Sequence, residues 1–197
     1  AALFEEVQRI FAVLADVQPL VIVLEDLHWS DQASLDLLRY LAHRSRNLRT
    51  LTVVTYRDDE LTRRHPFYQQ LAVLARETDA RITTHVGVGS YGQDGKVQEF
   101  GEGGLLGPDT TYIHCTTLND TEIQMIVDTG GTVSLASPVE MMMGHGMPPI
   151  QKFLDRGLRP SLSVDVETNV PGDMFNQMRS VLGLQRAIAS AQGKTPV

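Results

Sequence analysis

Glycine, methionine and lysine are missing from the first 86 residues of this chain, although the 197 residues hold 16 Gly, 7 Met and 3 Lys. Scattered evenly, roughly six of those glycines would fall in the first 80 positions. A helix-rich stretch is short of Gly for a physical reason, because Gly weakens helix interiors. The simultaneous absence of Met and Lys has no such explanation, and arginine is the only basic side chain besides histidine before residue 80. We therefore expect two sources joined in one chain, with the seam near LARET at 74–78. The same absence removes from the first segment any G-x-x-x-x-G-K-[ST] loop, whose amides and lysine would cradle phosphates.

Other shortages narrow the field further. A single cysteine, Cys115, excludes an internal disulfide and suits a reducing, cytoplasmic setting. No apolar run approaches a membrane span, since PLVIVL is only the length of a buried strand. A net charge of −7 argues against a phosphate-tracking surface and hence against a nucleic-acid partner. There is no signal-peptide pattern, internal repeat, low-complexity tract or flexible linker. The chain opens without Met inside a helical pattern that sets Leu3, Phe4, Val7, Ile10, Phe11 and Leu14 on one face, and it stops at Thr195-Pro196-Val197; both ends are expected to be cuts.

What is present alternates. The pattern predicts helix 2–16, strand 20–25, helix 31–45, strand 50–56, helix 66–77 and strand 81–86. Beyond a Gly-rich loop it predicts helix 94–101, strand 111–115, helix 119–129, strand 132–136, helix 148–156, strand 160–164 and helix 172–191. Continuous apolar strands such as LVIVL and TLTVVT imply an α/β fold with about six parallel strands covered on both faces, as an open sheet or an incomplete barrel. Ser30-Asp31, and Asn119 with Glu122 three residues on, are helix-start patterns.

In the first segment VIVLEDLHWSD ends an apolar strand in adjacent carboxylates, Glu25 and Asp26. Such a pair holds Mg²⁺ through water and polarises an attacking water in phosphate hydrolysis. VIVLEDLHWSD and TLTVVTYRDDEL, at their separation, resemble the Walker B region and following strand of STAND-type ATPases found with LuxR-like regulators, over residues 1–76. The resemblance implies ATP with Mg²⁺ as the parent's ligand and a γ-phosphate sensor role for Arg57. His28 and Trp29 are expected to be packing and turn residues, and ATP hydrolysis is not expected without the phosphate loop.

In the second segment three residues follow short apolar runs where a parallel fold places its chemistry: His85 in ARITTHVG, His114 in TTYIHC and Asp165 in PSLSVD. The runs THVG, YIHCTTLNDTEIQMI, GHGMPP, LRPSLSVD and DMFNQMR, in that order, resemble the amidohydrolase superfamily, in particular its cytosine-deaminase and chlorohydrolase-like branch, over residues 77–197. The resemblance implies a (β/α) barrel portion, a divalent zinc or iron ion, and hydrolysis of a non-peptide C–N or C–halogen bond in a small molecule. By the same resemblance His85 is a metal ligand, His114 ligates or orients the hydrolytic water, and Asp165 touches that water and accepts its proton. His145 and Glu140 are weaker candidates to line a substrate pocket. Met141–Met143 are expected to pack a loop.

Two departures bear on activity. Deaminases of this branch carry a proton-shuttling Glu three residues after the first of these histidines, where this chain has Val88. The chain also lacks the H-x-H pair that anchors the ion, since His28, His43 and His65 are isolated on different elements. Little or no turnover by this chain alone is expected. The competing readings are an ATP-binding regulatory fragment and a non-functional fusion or assembly artefact. Oligomeric state is left open.

Overall fold

The computed structural model describes residues 2–57, 60, 65–90 and 95–194. Asp58, Asp59 and Leu61 of the TYRDDEL run, and residues 91–94 of the Gly-rich loop, lie outside the described residues. Two compact units emerge, Ala1–Ala80 and Arg81–Val197. Their boundary follows the end of a helix, whereas the compositional seam expected from sequence lies within it.

The first unit runs α1 (Ala2–Val17), β1 (Leu20–Leu24), α2 (Gln32–Arg44), β2 (Thr50–Val54) and α3 (Pro66–Thr78). The β-branched runs of β1 and β2 pair in parallel, Leu20 beside Thr50 through Leu24 beside Val54. Helix α2 starts where its sequence predicts, with the Asp31 carboxylate accepting the Ser34 amide at 2.8 Å. Helix α3 starts on Pro66, and the His65 ring accepts the Phe67 amide at 3.1 Å. Leu35, Leu38, Phe67, Leu71 and Ala75 form the buried interior.

Two expectations fail here. The strands are covered on one face only: Val21, Val23, Leu51 and Val53 are exposed, because a two-stranded sheet has too few neighbours among the described residues to bury both. Helix α1 turns Phe4, Val7 and Phe11 partly inward and Ala15 fully, leaving Leu3, Ile10 and Leu14 largely in water.

The second unit contains β3 (Ile82–Val86), α4 (Lys96–Glu102), β4 (Thr110–His114), α5 (Asp120–Asp128), β5 (Thr132–Leu135), α6 (Ser137–Met142), α7 (Ile150–Leu154), β6 (Ser161–Leu162) and α8 (Met174–Ala191). Its sheet has the order β3-β4-β5-β6, all parallel, so the chain steps to the adjacent strand each time. Tyr112, Val133 and Leu135 of the sheet, with Ile123, Ile126 and Phe153 of the helices, are fully buried. The Asn119–Glu122 capping box forms in both directions, at 3.0 and 3.1 Å. Thus the α/β class stands, with six parallel strands among the described residues, in sheets of two and four.

Three local departures matter for the site. The segment after β5 folds into α6 instead of staying a loop, with Pro138 in its first turn, where a missing amide costs nothing. Met141–Met143 end that helix in solvent and do not pack. Strand β6 keeps two residues of the five expected, so Asp165 stands beyond the strand and not at its tip.

Candidate functional site

The second unit gathers its chemistry at the C-terminal ends of β3 and β4. His85 lies on β3 one residue before its end, exposed, between the buried Thr84 and Val86. His114 closes β4 with its side chain out of water. In the parallel register His114 pairs with Val86, not with His85, so strict alternation would set the two rings on opposite faces. The rings nevertheless stack, centroids 5.2 Å apart and planes 27° apart. The left-handed backbone of His114, φ 69°, carries its side chain off that alternation. A non-glycine residue in this region is strained by on the order of 1–3 kcal/mol and persists only where its surroundings hold it.

Those surroundings come from α6 and the turn after it. The His114 Nδ1 atom lies 3.2 Å from Oε1 of Glu140, a fully buried carboxylate. The same oxygen accepts the Ala136 amide at 2.8 Å. His145 meets the His114 ring edge-on, 5.6 Å between centroids at 78°. Glu140 Oε2 and His145 Nδ1 are buried and lack a hydrogen-bond partner among the described residues.

Backbone ties fix this arrangement. Gly89 donates to the His145 carbonyl at 2.9 Å, the His145 amide to the Glu140 carbonyl at 2.8 Å, and the Thr117 amide to the Gly87 carbonyl at 3.0 Å. The Thr116 hydroxyl faces both the Gly87 carbonyl, at 2.8 Å, and the His145 carbonyl. Gly87 has φ 62°, and a Cβ there would sit 2.8 Å from a Leu118 methyl, so the turn after His85 requires glycine.

Asp165 is placed differently. It is exposed, also left-handed at φ 67°, and no hydrogen bond or ion pair among the described residues joins it to the histidines. No group of three or more His, Cys, Asp or Glu among the described residues is arranged to hold a metal ion. The His85 and His114 imidazoles meet face to face, and His145 meets His114 edge to face. Among the described residues, His85, His114 and Asp165 are not gathered into one metal-holding group.

In the first unit Glu25 and Asp26 follow β1 in solvent, and Asp26 is left-handed at φ 58°. Beside them lies a cavity of about 720 Å³ lined largely by apolar side chains, among them Phe11, Ile22, Leu35 and Leu38. Arg57 pairs with Glu60 at 2.6 Å. Its amide donates to Nδ1 of the buried His28 at 3.2 Å, which makes His28 a packing residue that ties the turn after β1 to the end of β2. Trp29 belongs to the same turn and is 73% exposed, with its ring 4.8 Å from the His28 ring and its indole N–H donating to Glu60 at 3.3 Å.

Comparison with known proteins gives two kinds of likeness. Residues 1–54 match the AAA ATPase domain model. The chain is 31% identical over 128 residues to a 5′-deoxyadenosine deaminase of Methanothermobacter thermautotrophicus, covering 60% of this chain and 30% of that protein. It is 29% identical over 128 residues to an isoxanthopterin deaminase from an unknown prokaryote, covering 60% and 27%. In fold it resembles a guanine deaminase of C. acetobutylicum solved with guanine (TM-score 0.65, 17% identity, 98% of this chain and 51% of that one). It also resembles a zinc-bound adenosine deaminase of Xanthomonas campestris (TM-score 0.64, 15% identity, 93% and 50%). The chain spans under a third of the length of those two curated relatives. The fold is α/β and resembles that of these deaminases. More particularly, the chain is similar in sequence to curated deaminases and, over residues 1–54, to the AAA ATPase domain.

Proposed function

We propose that residues 81–197 are the site-bearing portion of a hydrolase acting on a non-peptide C–N, or C–halogen, bond of a small molecule, and that this chain alone turns over little or none of it. The observation that carries the reading is His114, held against Glu140 and stacked on His85 at the C-terminal edge of a parallel sheet. That edge is where such folds place their chemistry. In hydrolysis a water must lose a proton as it attacks and the leaving group must gain one. His114 is the residue suited to take that proton, and Asp165, from the same end of the sheet, is the second candidate. Val88 offers no proton to a leaving amine. The missing H-x-H pair accounts for the low turnover.

The test uses a graft in which the first half of the M. thermautotrophicus deaminase replaces the first unit, made in zinc-supplemented medium. Ammonia or chloride release is followed with 5′-deoxyadenosine, guanine, isoxanthopterin and a chloro-s-triazine. The expected result is background release by the present chain and release by the graft that disappears in its His114→Ala variant. A folded graft without activity, or a present chain with His114-dependent turnover, contradicts the proposal.

The match of residues 1–54 supports a second reading, an ATP-binding regulatory fragment. It requires binding without a phosphate loop, and failure to bind millimolar ATP with Mg²⁺ removes it. Both ancestries in one chain, with the compositional break near residue 76, support a fusion. Individual DNA reads that never cross codons 70–80 would assign the join to assembly.

A further inference from the structure

We propose that Glu140 is a positioning residue: it fixes the His114 imidazole in the Nδ1–H form and leaves Nε2 as the ring's only lone pair, the proton acceptor of the site. This rests on the hydrolase reading of that site, but its chemistry is legible without it.

Oε1 of Glu140 receives the Ala136 amide proton at 2.8 Å, which makes that oxygen an acceptor. The His114 nitrogen 3.2 Å from the same oxygen must then be the donor, because two acceptors facing one another would repel. A neutral imidazole has one N–H, so committing it to Nδ1 empties Nε2. The pairing is out of water, where an acceptor fixed behind a histidine defines its tautomer most firmly.

The neighbouring rings remove the remaining freedom. His85 covers one face of His114 and His145 abuts its edge, so the imidazole cannot turn to exchange its two nitrogens. Glu140 itself is anchored by its place in α6, four residues after the amide it caps. Acting through His114 and touching no substrate, it is a positioning residue. It is also fully buried, so it stands behind the site and does not line an open pocket.

The experiment is a long-range ¹H–¹⁵N correlation spectrum of the ¹⁵N-labelled full chain at neutral pH, with His114 assigned by its loss in His114→Gln. The expected wild-type pattern is a protonated Nδ1 and an unprotonated Nε2. Glu140→Gln retains an oxygen that can accept both donors and should keep the pattern. Glu140→Ala removes the acceptor and should shift the ring to the Nε2–H form. A wild-type ring in the Nε2–H or doubly protonated form overturns the proposal, as does a folded Glu140→Ala chain with an unchanged ring. Should Glu140→Ala not fold, the wild-type and Glu140→Gln spectra still decide: Nδ1–H in both supports the role and Nε2–H in either overturns it. No substrate is needed, so a chain that hydrolyses nothing leaves this test intact. A wrong tautomer, conversely, leaves the hydrolase reading to the graft assay.

Discussion

His114 and Glu140, 26 residues apart in sequence, meet at 3.2 Å with both side chains out of water. The pair joins the end of β4 to α6, and the strained backbone of His114 is held within it. The energetic order is clear: about 1–3 kcal/mol of strain at one residue is sustained by a buried charge-assisted contact and two ring contacts of comparable size.

Asp165 offers the contrasting case of strain with no hydrogen bond or ion pair among the described residues to offset it. It is left-handed at φ 67° and exposed. Asp165→Gly relieves the backbone at no loss of packing and should raise stability by about 0.5–1 kcal/mol. Urea unfolding of the two chains checks this, and an unchanged or lowered midpoint would mean that the carboxylate has a partner in solution.

The one-sided cover of β1 and β2 yields a second expectation. Val23 is 54% exposed and Leu35 only 2%. Val23→Thr should shift stability by less than about 0.5 kcal/mol, whereas Leu35→Ala should cost about 2–5 kcal/mol through lost burial and a cavity. Comparable losses from both substitutions, measured by thermal unfolding, would show that the outer face of the sheet is covered.

Buried acids in the second unit set its alkaline limit. Burial raises the Cys115 thiol well above its ordinary 9.0, with the Glu140 and Glu122 carboxylates adding to the shift. Burial likewise raises the Tyr112 phenol above its ordinary 10.0. In the unfolded chain both groups lose protons that the folded chain retains, so the unfolded state binds fewer protons at high pH. Stability should be flat from pH ~7 to ~8.5 and fall above pH ~9, by up to about 1.4 kcal/mol per pH unit for each group. Iodoacetamide should leave Cys115 unmodified in the native chain and alkylate it in urea. Native alkylation at neutral pH would refute the burial.

Much of this arrangement is visible in the sequence, and the exceptions have physical causes. Apolar, β-branched runs report strands because their side chains must be buried somewhere, and Asn119 with Glu122 reports a helix start because capping is local. Helix α6 escapes notice because six residues, one of them proline, carry no periodicity. Strand β6 is overestimated because an apolar run states that residues can pair, not that a neighbour extends far enough to pair with them. His85 and His114 stand out as strand-end residues. Glu140 and His145 enter only as weaker pocket candidates, and their contact with the His114 ring comes from the closing of α6 and its turn against β4.

The central proposal is that His85 and His114 belong to a hydrolase site whose described residues hold no closed metal-ligand set. Zinc titrated calorimetrically into the metal-free 197-residue chain tests it most directly. The expected dissociation constant is weaker than about 1 μM, since the described residues hold no group of three or more metal-binding side chains. One tightly held zinc per chain, released by His85→Ala or His114→Ala, would contradict it.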